Sequence, residues 1–232
     1  MFEKHVPLYD CENCLFREIS CRHLNPEEFE VIRRMSTQLR FNRGETIFKQ
    51  GTSFTHTVCI LEGLVKVYLE TRKRKNFILS LIGPGEMLGS PGMFTDNMHH
   101  FSVVAVEDTL ACHVERQAIE EVYKLNSIFA IEMQKKSNLR DIRHYRKFRT
   151  LAQKQMPGRV AEAILYLSNS IYKSNPFTLT ITRQDIADLA SITKEGTIRV
   201  MKDFKDAGLI SIQGNEVKIL NEKALSNISE NG

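Results

Sequence analysis

Glycines divide the stretch from residue 39 to about residue 114 into short segments that have the length and composition of β-strands. The segments are rich in valine, isoleucine, threonine and phenylalanine, and glycine-containing turns separate them. This pattern is typical of a sandwich, roll or barrel, in which each short strand buries one face against another. The segments that we assign to strands are 57–61, 64–69, 77–82 and 101–106.

Beyond residue 114 the apolar residues recur three or four positions apart, which indicates helices. We predict a short helix over 118–125 and a long one from Asn126 or Ser127 to about residue 155. A helix of ~28 residues is about 42 Å long, more than a small β-domain can cover. We therefore expect part of its apolar stripe to meet a second copy of the chain, although packing wholly within one chain stays open. The residues predicted to dimerise are Ile131, Leu139, Ile142, Tyr145 and Phe148.

Two breaks in the pattern divide the chain further. Asn25 and Pro26, followed by two glutamates, suit the start of a helix. Pro157 and Gly158 interrupt the long helix and begin another segment. We predict a cysteine-containing arm, a β-roll, a dimerisation helix and a C-terminal domain, over residues 1–24, 25–125, 126–155 and 156–232.

The C-terminal domain contains the pattern of a winged helix-turn-helix. Thr182 can cap a first helix together with Asp185, three residues on, and Thr193 can cap a second one. Gly208 suits the end of the second helix. Two apolar runs around Gly214 then predict a β-hairpin. Two helices, a turn and a hairpin together describe this motif.

The second helix of such a motif enters the major groove, where side chains near its N-terminus reach base edges. Arg199 can donate two hydrogen bonds to guanine and Glu195 can accept one from cytosine, while an ion pair between the two residues is the alternative. One explanation of Gly196, which is unusual within a helix, is close approach to DNA. The residues predicted to contact DNA are Thr182, Arg183, Gln184, Thr193, Lys194, Glu195, Thr197, Ile198 and Arg199.

Charge and hydropathy add broader expectations. The net charge is +4, and the stretch between residues 135 and 154 contains eight lysines and arginines but only one acidic residue, an aspartate. Such a stretch attracts phosphates or an acidic partner, or forms a solvated helix face. The sequence has no apolar run of transmembrane length and does not begin like a signal peptide. We expect a cytoplasmic protein with no membrane partner.

Taken together, these segments resemble the Crp/Fnr family, which includes the cyclic-AMP receptor protein and the fumarate–nitrate reductase regulator. The resemblance covers nearly the whole chain. Its strongest parts are residues 181–186, 193–195 with Arg199, and 208–210 in the C-terminal domain, and Gly44-Glu45, Gly51, 62–66 and 83–86 with Gly89 in the roll. Two departures are Ser191, where the turn often has glycine, and Gly196, which replaces a usual threonine.

The resemblance implies an α+β fold with an N-terminal cyclic-nucleotide-binding-like β-roll (jelly roll), a long dimerisation helix and a C-terminal winged helix-turn-helix. It implies a sequence-specific transcription regulator rather than an enzyme. Such a regulator works as a homodimer on a near-palindromic site in double-stranded DNA and contacts RNA polymerase. A metal-dependent cupin-like enzyme built on the same roll is the alternative from another class.

The cyclic-nucleotide branch of the family uses an acid for the ribose and an Arg-Ser pair for the phosphate. An ungapped comparison from Gly85 puts Ser90 at the acid and His100-Phe101 at the pair. Without the arginine, the phosphate lacks its bidentate partner, so we do not expect cyclic AMP to bind. The residues of the candidate effector pocket are Gly85, Glu86, Gly89, Ser90, His100 and Phe101.

Three cysteines near the N-terminus resemble the iron–sulfur arm of the family's oxygen sensor. They are Cys11, Cys14 and Cys21, and Cys112 matches the position of the fourth ligand there. Four thiolates are what a [4Fe–4S] cluster needs. The resemblance thus implies a cluster whose loss in oxygen changes DNA affinity, although the second spacing is six residues here and five in the sensor. Cys59, in an apolar strand, is predicted to be a small core residue.

Other sensory readings stay open. The arm can hold reduced thiols, act as a thiol switch or bind zinc. The regulator can also respond to a small ligand other than cyclic AMP, or to none.

Overall fold

The computed structural model describes residues 11, 14–71, 76–89 and 91–232 of the chain. The described residues form two compact units, one with residues up to Leu69 and Leu81–Arg140, the other with Glu70–Ser80 and Asp141–Gly232. The four-part division made from the sequence is finer and stays a prediction. None of the described helices is both long and apolar enough to cross a membrane.

Eight short strands in the described residues build the predicted β-roll. They form two four-stranded sheets with the orders β1-β8-β3-β6 and β2-β7-β4-β5. The strands are β1 (Ser36–Phe41), β2 (Thr46–Phe48), β3 (His56–Glu62), β4 (Val65–Glu70), β5 (Asn76–Ile82), β6 (Met87–Leu88), β7 (Ser102–Ala105) and β8 (Thr109–Glu115). The four segments assigned to strands from the sequence overlap β3, β4, β5 and β7, so these predictions are confirmed.

The turn at Gly63 between β3 and β4 shows why glycines separate the strands. Gly63 has a φ of +86°, in the left-handed region that favours glycine. A Cβ atom on this residue would also collide with the backbone carbonyl oxygen of Asp108. Both constraints make glycine the residue that fits this turn.

Three short helices cover one side of the sheet β1-β8-β3-β6. They are α1 (Leu15–Ser20), α2 (Pro26–Arg34) and α3 (Arg116–Leu125). The predicted start of α2 is confirmed, because the Asn25 side chain accepts from the backbone N–H of Glu28 and the Glu28 carboxylate accepts from that of Asn25. Buried residues of all three helices, such as Phe16, Ile32 and Ile119, share one apolar core with β3 and β8.

The long helix α4 spans Ser127–Gln153, close to its predicted bounds. The Asn126 side chain accepts a hydrogen bond from the backbone N–H of Phe129 at 2.8 Å, which confirms Asn126 as its cap. Phe129 and Met133 are buried in the apolar core beneath the arm. Large apolar side chains on α4 are exposed nevertheless; they are Ile128, Ile131, Leu139, Ile142, Tyr145 and Phe148.

The C-terminal part of the chain contains four further helices and a small sheet. Its regular elements are α5 (Met156–Tyr166), a π-helical turn (Leu167–Tyr172), β9 (Phe177–Thr178), α6 (Arg183–Ala190), α7 (Lys194–Asp206), β10 (Ile210–Gln213), β11 (Glu216–Ile219) and α8 (Glu222–Asn231). The strand order is β10-β11-β9. The predicted hairpin around Gly214 is confirmed, whereas β9 and α8 were not foreseen.

Candidate DNA-binding surface and cysteine site

The first helix of the motif, α6, begins with the capping arrangement predicted from the sequence. The hydroxyl of Thr182 accepts from the backbone N–H of Asp185 at 3.1 Å. In return, the Asp185 carboxylate accepts from the backbone N–H of Thr182 at 2.9 Å. Ile186, Ala187 and Ala190 are buried on the inner side of α6. These contacts fix where the helix starts and which face it presents outward.

The turn between α6 and α7 is centred on Ser191, which has a left-handed conformation with a φ of 55°. The backbone N–H of Ile192 closes the turn by donating to the carbonyl of Ala187 at 3.0 Å. The Ser191 hydroxyl oxygen is buried and has no hydrogen-bond partner among the described residues. A left-handed residue with a Cβ is strained, which explains why glycine is the usual residue at this place.

We predict that the substitution Ser191→Gly raises the free energy of unfolding by about 1 kcal/mol. Glycine removes both the strain at Cβ and the buried hydroxyl. Chemical denaturation followed by circular dichroism measures the change. The matched variant Ser191→Ala removes the hydroxyl but keeps Cβ, so it should stabilise less than glycine. A less stable glycine variant would contradict this account of the turn.

The second helix, α7, places its polar residues on one side. Thr193 caps it as predicted, accepting from the backbone N–H of Gly196 at 3.1 Å. Val200, Met201 and Phe204 are buried on the inner side. The exposed side chains all lie on the opposite side; they are Lys194, Glu195, Ile198, Arg199, Lys202, Asp203, Lys205 and Asp206. We call the four in the first half of the helix, Lys194, Glu195, Ile198 and Arg199, the outer face of α7.

Two sequence-based interpretations of α7 are wrong. Thr197 was expected to contact DNA, but it is fully buried and donates its hydroxyl to the carbonyl of Thr193 at 3.1 Å. Gly196 was explained by close approach to DNA, but it too is buried. A Cβ atom on Gly196 would lie 3.1 Å from the Thr193 hydroxyl and 3.6 Å from the sulfur of Met156. A larger residue at this position would require the Thr193 hydroxyl to shift by a few tenths of an ångström, whereas the Met156 contact is of ordinary van der Waals length.

The hairpin of β10 and β11 is tied to the start of α6. The Arg183 guanidinium donates to the carbonyl of Gly214, at the tip of the hairpin, at 3.2 Å. Gln184 is exposed in the first turn of α6, and its amide donates to the Asp188 carboxylate at 2.8 Å. Three parts of this domain are therefore candidates for contact with a DNA backbone and groove: the first turn of α6, the hairpin tip and the outer face of α7.

The cysteines come together in the other unit, at the arm. Cys14 and Cys21 flank α1, and Cys112 lies on β8; all three are buried in the apolar core beneath the arm. Cys11 is partly buried, and its sulfur accepts from the Gln38 amide at 3.9 Å. A cavity of about 20 Å³ is lined by Cys11, Cys14 and Cys112. The structure thus places three of the four predicted ligands around one cavity and the fourth, Cys21, in the same apolar core.

Burial favours the neutral thiol form of Cys21, Cys59 and Cys112. Burial raises the pKa of Cys112 to about 12, and it raises the pKa of Cys21 and Cys59 well above the usual range of a thiol. Among the described residues, no three His, Cys, Asp or Glu side chains are already set at metal-binding distances. The cavity has room for about one water molecule. The cysteine sulfurs are suitable donors for a soft metal centre. In this conformation, however, the cavity leaves no space for one.

Comparison with known proteins agrees with both parts of this description. The family model of the cyclic nucleotide-binding domain matches residues 38–126, and that of the Crp-like helix-turn-helix domain matches residues 158–228. The chain is a Crp/Fnr family transcription regulator.

Relatives and solved structures are consistent with this assignment. The chain is 26% identical to the transcriptional activator protein FnrA of Stutzerimonas stutzeri, over 79% of this chain and 76% of the relative. It is 26% identical to the transcriptional activator protein Anr of Pseudomonas protegens, over 90% and 88%. Its fold is similar to that of FixK2 from Bradyrhizobium japonicum, with a TM-score of 0.76 and 19% identity over 83% and 96% of the two chains.

The residues of the candidate effector pocket have other contacts in this regulator. A Cβ atom on Gly85 would collide with the side chain of Ile19, so α1 of the arm packs directly over this glycine. Glu86 and His100 are exposed, and the His100 imidazole lies 3.1 Å from the Asp96 carboxylate. Phe101 packs on Phe48. Gly89 is partly buried, Ser90 lies outside the described residues, and the pocket itself stays a prediction.

Proposed function

We propose that the regulator binds its operator as a homodimer through the outer face of α7, and that a thiolate-bound [4Fe–4S] cluster at the arm controls its DNA affinity. The observation that carries the DNA-binding part is the position of Lys194, Glu195 and Arg199. All three are exposed in the first half of a capped helix, which is where major-groove readers place their base contacts.

The other predicted contacts divide by chemistry. Arg199 and Glu195 suit base edges, as a donor to guanine and an acceptor from cytosine. Thr182, Gln184 and Thr193 are exposed at the starts of two helices, where backbone N–H groups and hydroxyls suit phosphate. Among the remaining members of the set, we assign Lys194 to a phosphate contact and Ile198 to an apolar base contact. We assign Arg183 to the side of the surface formed by the hairpin.

The homodimer is supported by the exposed stripe on α4. At about 100° per residue, Ile128, Ile131, Leu139 and Ile142 point within about 80° of one another. Phe129 and Met133 point to the other side of the helix, into the core of their own chain. Ile131 is 66% exposed, and an apolar stripe of this kind marks an interaction site. A second copy provides the same stripe around a twofold axis. RNA polymerase is the further partner that the family implies.

The cluster is supported by the positions of the four cysteines, because Cys11, Cys14 and Cys112 line one cavity and Cys21 is buried in the same apolar core. A [4Fe–4S] cluster held by these thiols would supply a redox centre sensitive to oxygen. The cavity of about 20 Å³ is smaller than such a cluster, so loading would widen the cavity and would therefore move the arm. The chain connects that movement to α4: the Lys136 ammonium donates to the carbonyl of Ile19 at 3.2 Å and to the Ser20 hydroxyl at 2.8 Å.

The test is anaerobic purification of the full chain. We expect iron and acid-labile sulfide in equal amounts, visible absorption that bleaches in air, and a change in affinity for a duplex selected from a random library. Affinity for that duplex should fall steeply with salt, because phosphate contacts release counterions. Colourless protein with unchanged DNA binding in air would overturn the cluster. Equal affinity for all duplexes of the library would overturn the proposed DNA-binding surface.

We predict that the substitution Lys136→Met keeps the cluster but uncouples it from DNA. Methionine keeps the aliphatic length of lysine while removing the charge and the two hydrogen bonds to the end of α1. Iron content should stay unchanged, and the difference in duplex affinity before and after exposure to air should disappear. The control is Lys124→Met, which removes an exposed lysine from the last turn of α3. An unchanged response to air in the Lys136 variant would contradict this connection.

The other readings differ in their expected results. A regulator that responds to a small ligand would be free of iron and keep its DNA affinity in air. A cupin-like enzyme would show no selectivity among duplexes, and the relatives named above are transcriptional activators. We also propose that the regulator acts in the cytoplasm, where the chromosomal DNA of a bacterium lies.

A further inference from the structure

The junction between α4 and α5 consists of two residues, Lys154 and Gln155. Arg159, in the first turn of α5, reaches back across it. Its guanidinium donates to the carbonyl of Leu151 at 2.7 Å and to that of Lys154 at 2.9 Å. The last carbonyls of a helix have no partner within the helix, and a cation suits its negative end. Arg159 therefore holds the start of α5 against the end of α4.

A carboxylate makes the second connection across the junction. Oε2 of Glu162, on α5, accepts from the Thr150 hydroxyl at 2.8 Å and from the Lys154 ammonium at 2.7 Å. The Thr150 hydroxyl also lies 3.1 Å from the carbonyl of Arg146, and the Lys154 ammonium lies 3.4 Å from the Ser229 hydroxyl on α8. Thr150 is buried and the Lys154 side chain is only 17% exposed, so removing the carboxylate would leave polar groups with little access to water. Glu162 thus fixes the end of α4 against α5.

The helix α5 connects this junction to α7. It packs against α6, α7 and α8. Its first residue, Met156, follows the junction directly, and a Cβ atom on Gly196 of α7 would lie 3.6 Å from the Met156 sulfur, an ordinary contact distance. Lys194, Glu195 and Arg199 are next to Gly196 at the start of α7. The direction of α7 relative to α4 is therefore set by contacts that begin at the junction.

We propose that Glu162 is a positioning residue, which fixes the distance between the two copies of α7 in the dimer and so selects the spacing of the half-sites. This rests on the homodimer and the DNA-binding surface under the proposed function. The two α4 helices of that dimer face each other across the twofold axis, so the angle at the junction decides how far apart the two copies of α7 lie. Dimeric helix-turn-helix proteins bind half-sites about 34–36 Å apart, which is one turn of DNA. A fixed junction suits one spacing, whereas a mobile junction suits several.

The experiment varies the DNA as well as the protein. Full-length wild type, Glu162→Ala and Glu162→Gln are purified anaerobically and titrated with duplexes that contain two copies of the half-site selected from the random library. These duplexes keep the selected spacing, or have one base pair inserted or removed between the half-sites. A duplex with a single half-site measures the contacts of one copy of α7. Circular dichroism checks the fold.

We expect the wild type to prefer one spacing by about tenfold or more, because one base pair shifts the second half-site by about 3.4 Å and turns it by about 35°. In Glu162→Ala this preference should fall by about fivefold, the size expected for the loss of one partly exposed ion pair. Affinity for the single half-site should stay unchanged, because the outer face of α7 is intact. Glu162→Gln keeps an acceptor for Thr150 without the charge, so its preference should fall less. The control Glu230→Ala removes an exposed carboxylate from α8 and should keep the full preference.

The possible failures can be distinguished. An unchanged spacing preference in Glu162→Ala would overturn the positioning role while leaving the homodimer and the DNA-binding surface in place. Equal weakening on the single half-site and on every paired duplex would show that Glu162 only stabilises the domain, and would overturn that role as well. A wild type that gains nothing from the second half-site would overturn the homodimer, and one that does not prefer the selected half-site would overturn the DNA-binding surface. This inference would fall with either.

Discussion

The variant Ile131→Glu is expected to be monomeric and to bind operator DNA at least about a hundredfold more weakly than the wild type. Burying an isoleucine contributes about 2 kcal/mol, and twofold symmetry repeats the loss in the second copy. Placing a carboxylate in the interface adds a desolvation cost to each side. A total of about 4 kcal/mol or more corresponds to about a thousandfold in the dimer dissociation constant.

Glutamate is a good helix former, so α4 itself should remain intact in this variant. Sedimentation equilibrium at micromolar concentration measures the association, and a titration with selected duplex measures the consequence for DNA. The control is Gln134→Glu, which adds the same charge three residues on, at an exposed position beside the stripe. That variant should remain dimeric. A dimeric Ile131 variant would show that the stripe on α4 is not the interface.

Much of the fold follows from signals that lie within a few residues. The capping arrangements at Asn25 and Thr182 each need only a pair of side chains three residues apart, and the structure contains both. The strands could be located because turn residues separate them, such as Gly63, whose positive φ suits a tight turn. These predictions succeeded because the physical cause and the sequence signal occupy the same short segment.

The two corrections on α7 concern Thr197 and Gly196. Thr197 lies three, four and seven residues before the buried Val200, Met201 and Phe204, so helical spacing alone places it on the inner side. That signal was present in the sequence and was missed. The contact that limits the space at Gly196 is also local, because the atom closest to a Cβ there is the hydroxyl oxygen of Thr193, three residues before it, at 3.1 Å. The Met156 sulfur, which only the folded domain brings near, lies at the ordinary contact distance of 3.6 Å.

The cysteine site shows a limit of what can be predicted from the sequence. The resemblance to an iron–sulfur arm selected Cys11, Cys14, Cys21 and Cys112 by spacing. Cys59 has no spacing that relates it to the arm. Its place is set by the register between β3 and β8, which pairs it with Cys112. Strand register depends on the whole sheet and its turns, so a single strand gives no sign of its partner.

The substitution Arg199→Ala is expected to remove recognition of one base rather than binding as a whole. Arg199 is exposed near the start of α7, and a guanidinium there can donate two parallel hydrogen bonds to O6 and N7 of guanine. Losing that pair costs about 1–3 kcal/mol at one position, or about 5- to 150-fold in affinity for the preferred duplex. An ion pair with Glu195, the alternative from the sequence, would contribute only about 0.3 kcal/mol, so stability should hardly change.

A base contact and a phosphate contact of the same arginine can be separated by two measurements. Affinities for duplexes substituted at each position should show the variant indifferent at one base pair and unchanged in preference elsewhere. The dependence of affinity on salt should keep its slope, whereas a lost phosphate contact would lower that slope by about 1. Lys205→Ala, at the exposed far end of α7, is the charge-matched control and should leave every base preference intact. If the Arg199 variant lost affinity equally on all duplexes with a reduced slope, the arginine would be a phosphate contact, and Glu195 and Ile198 would be the remaining candidates for base recognition on this helix.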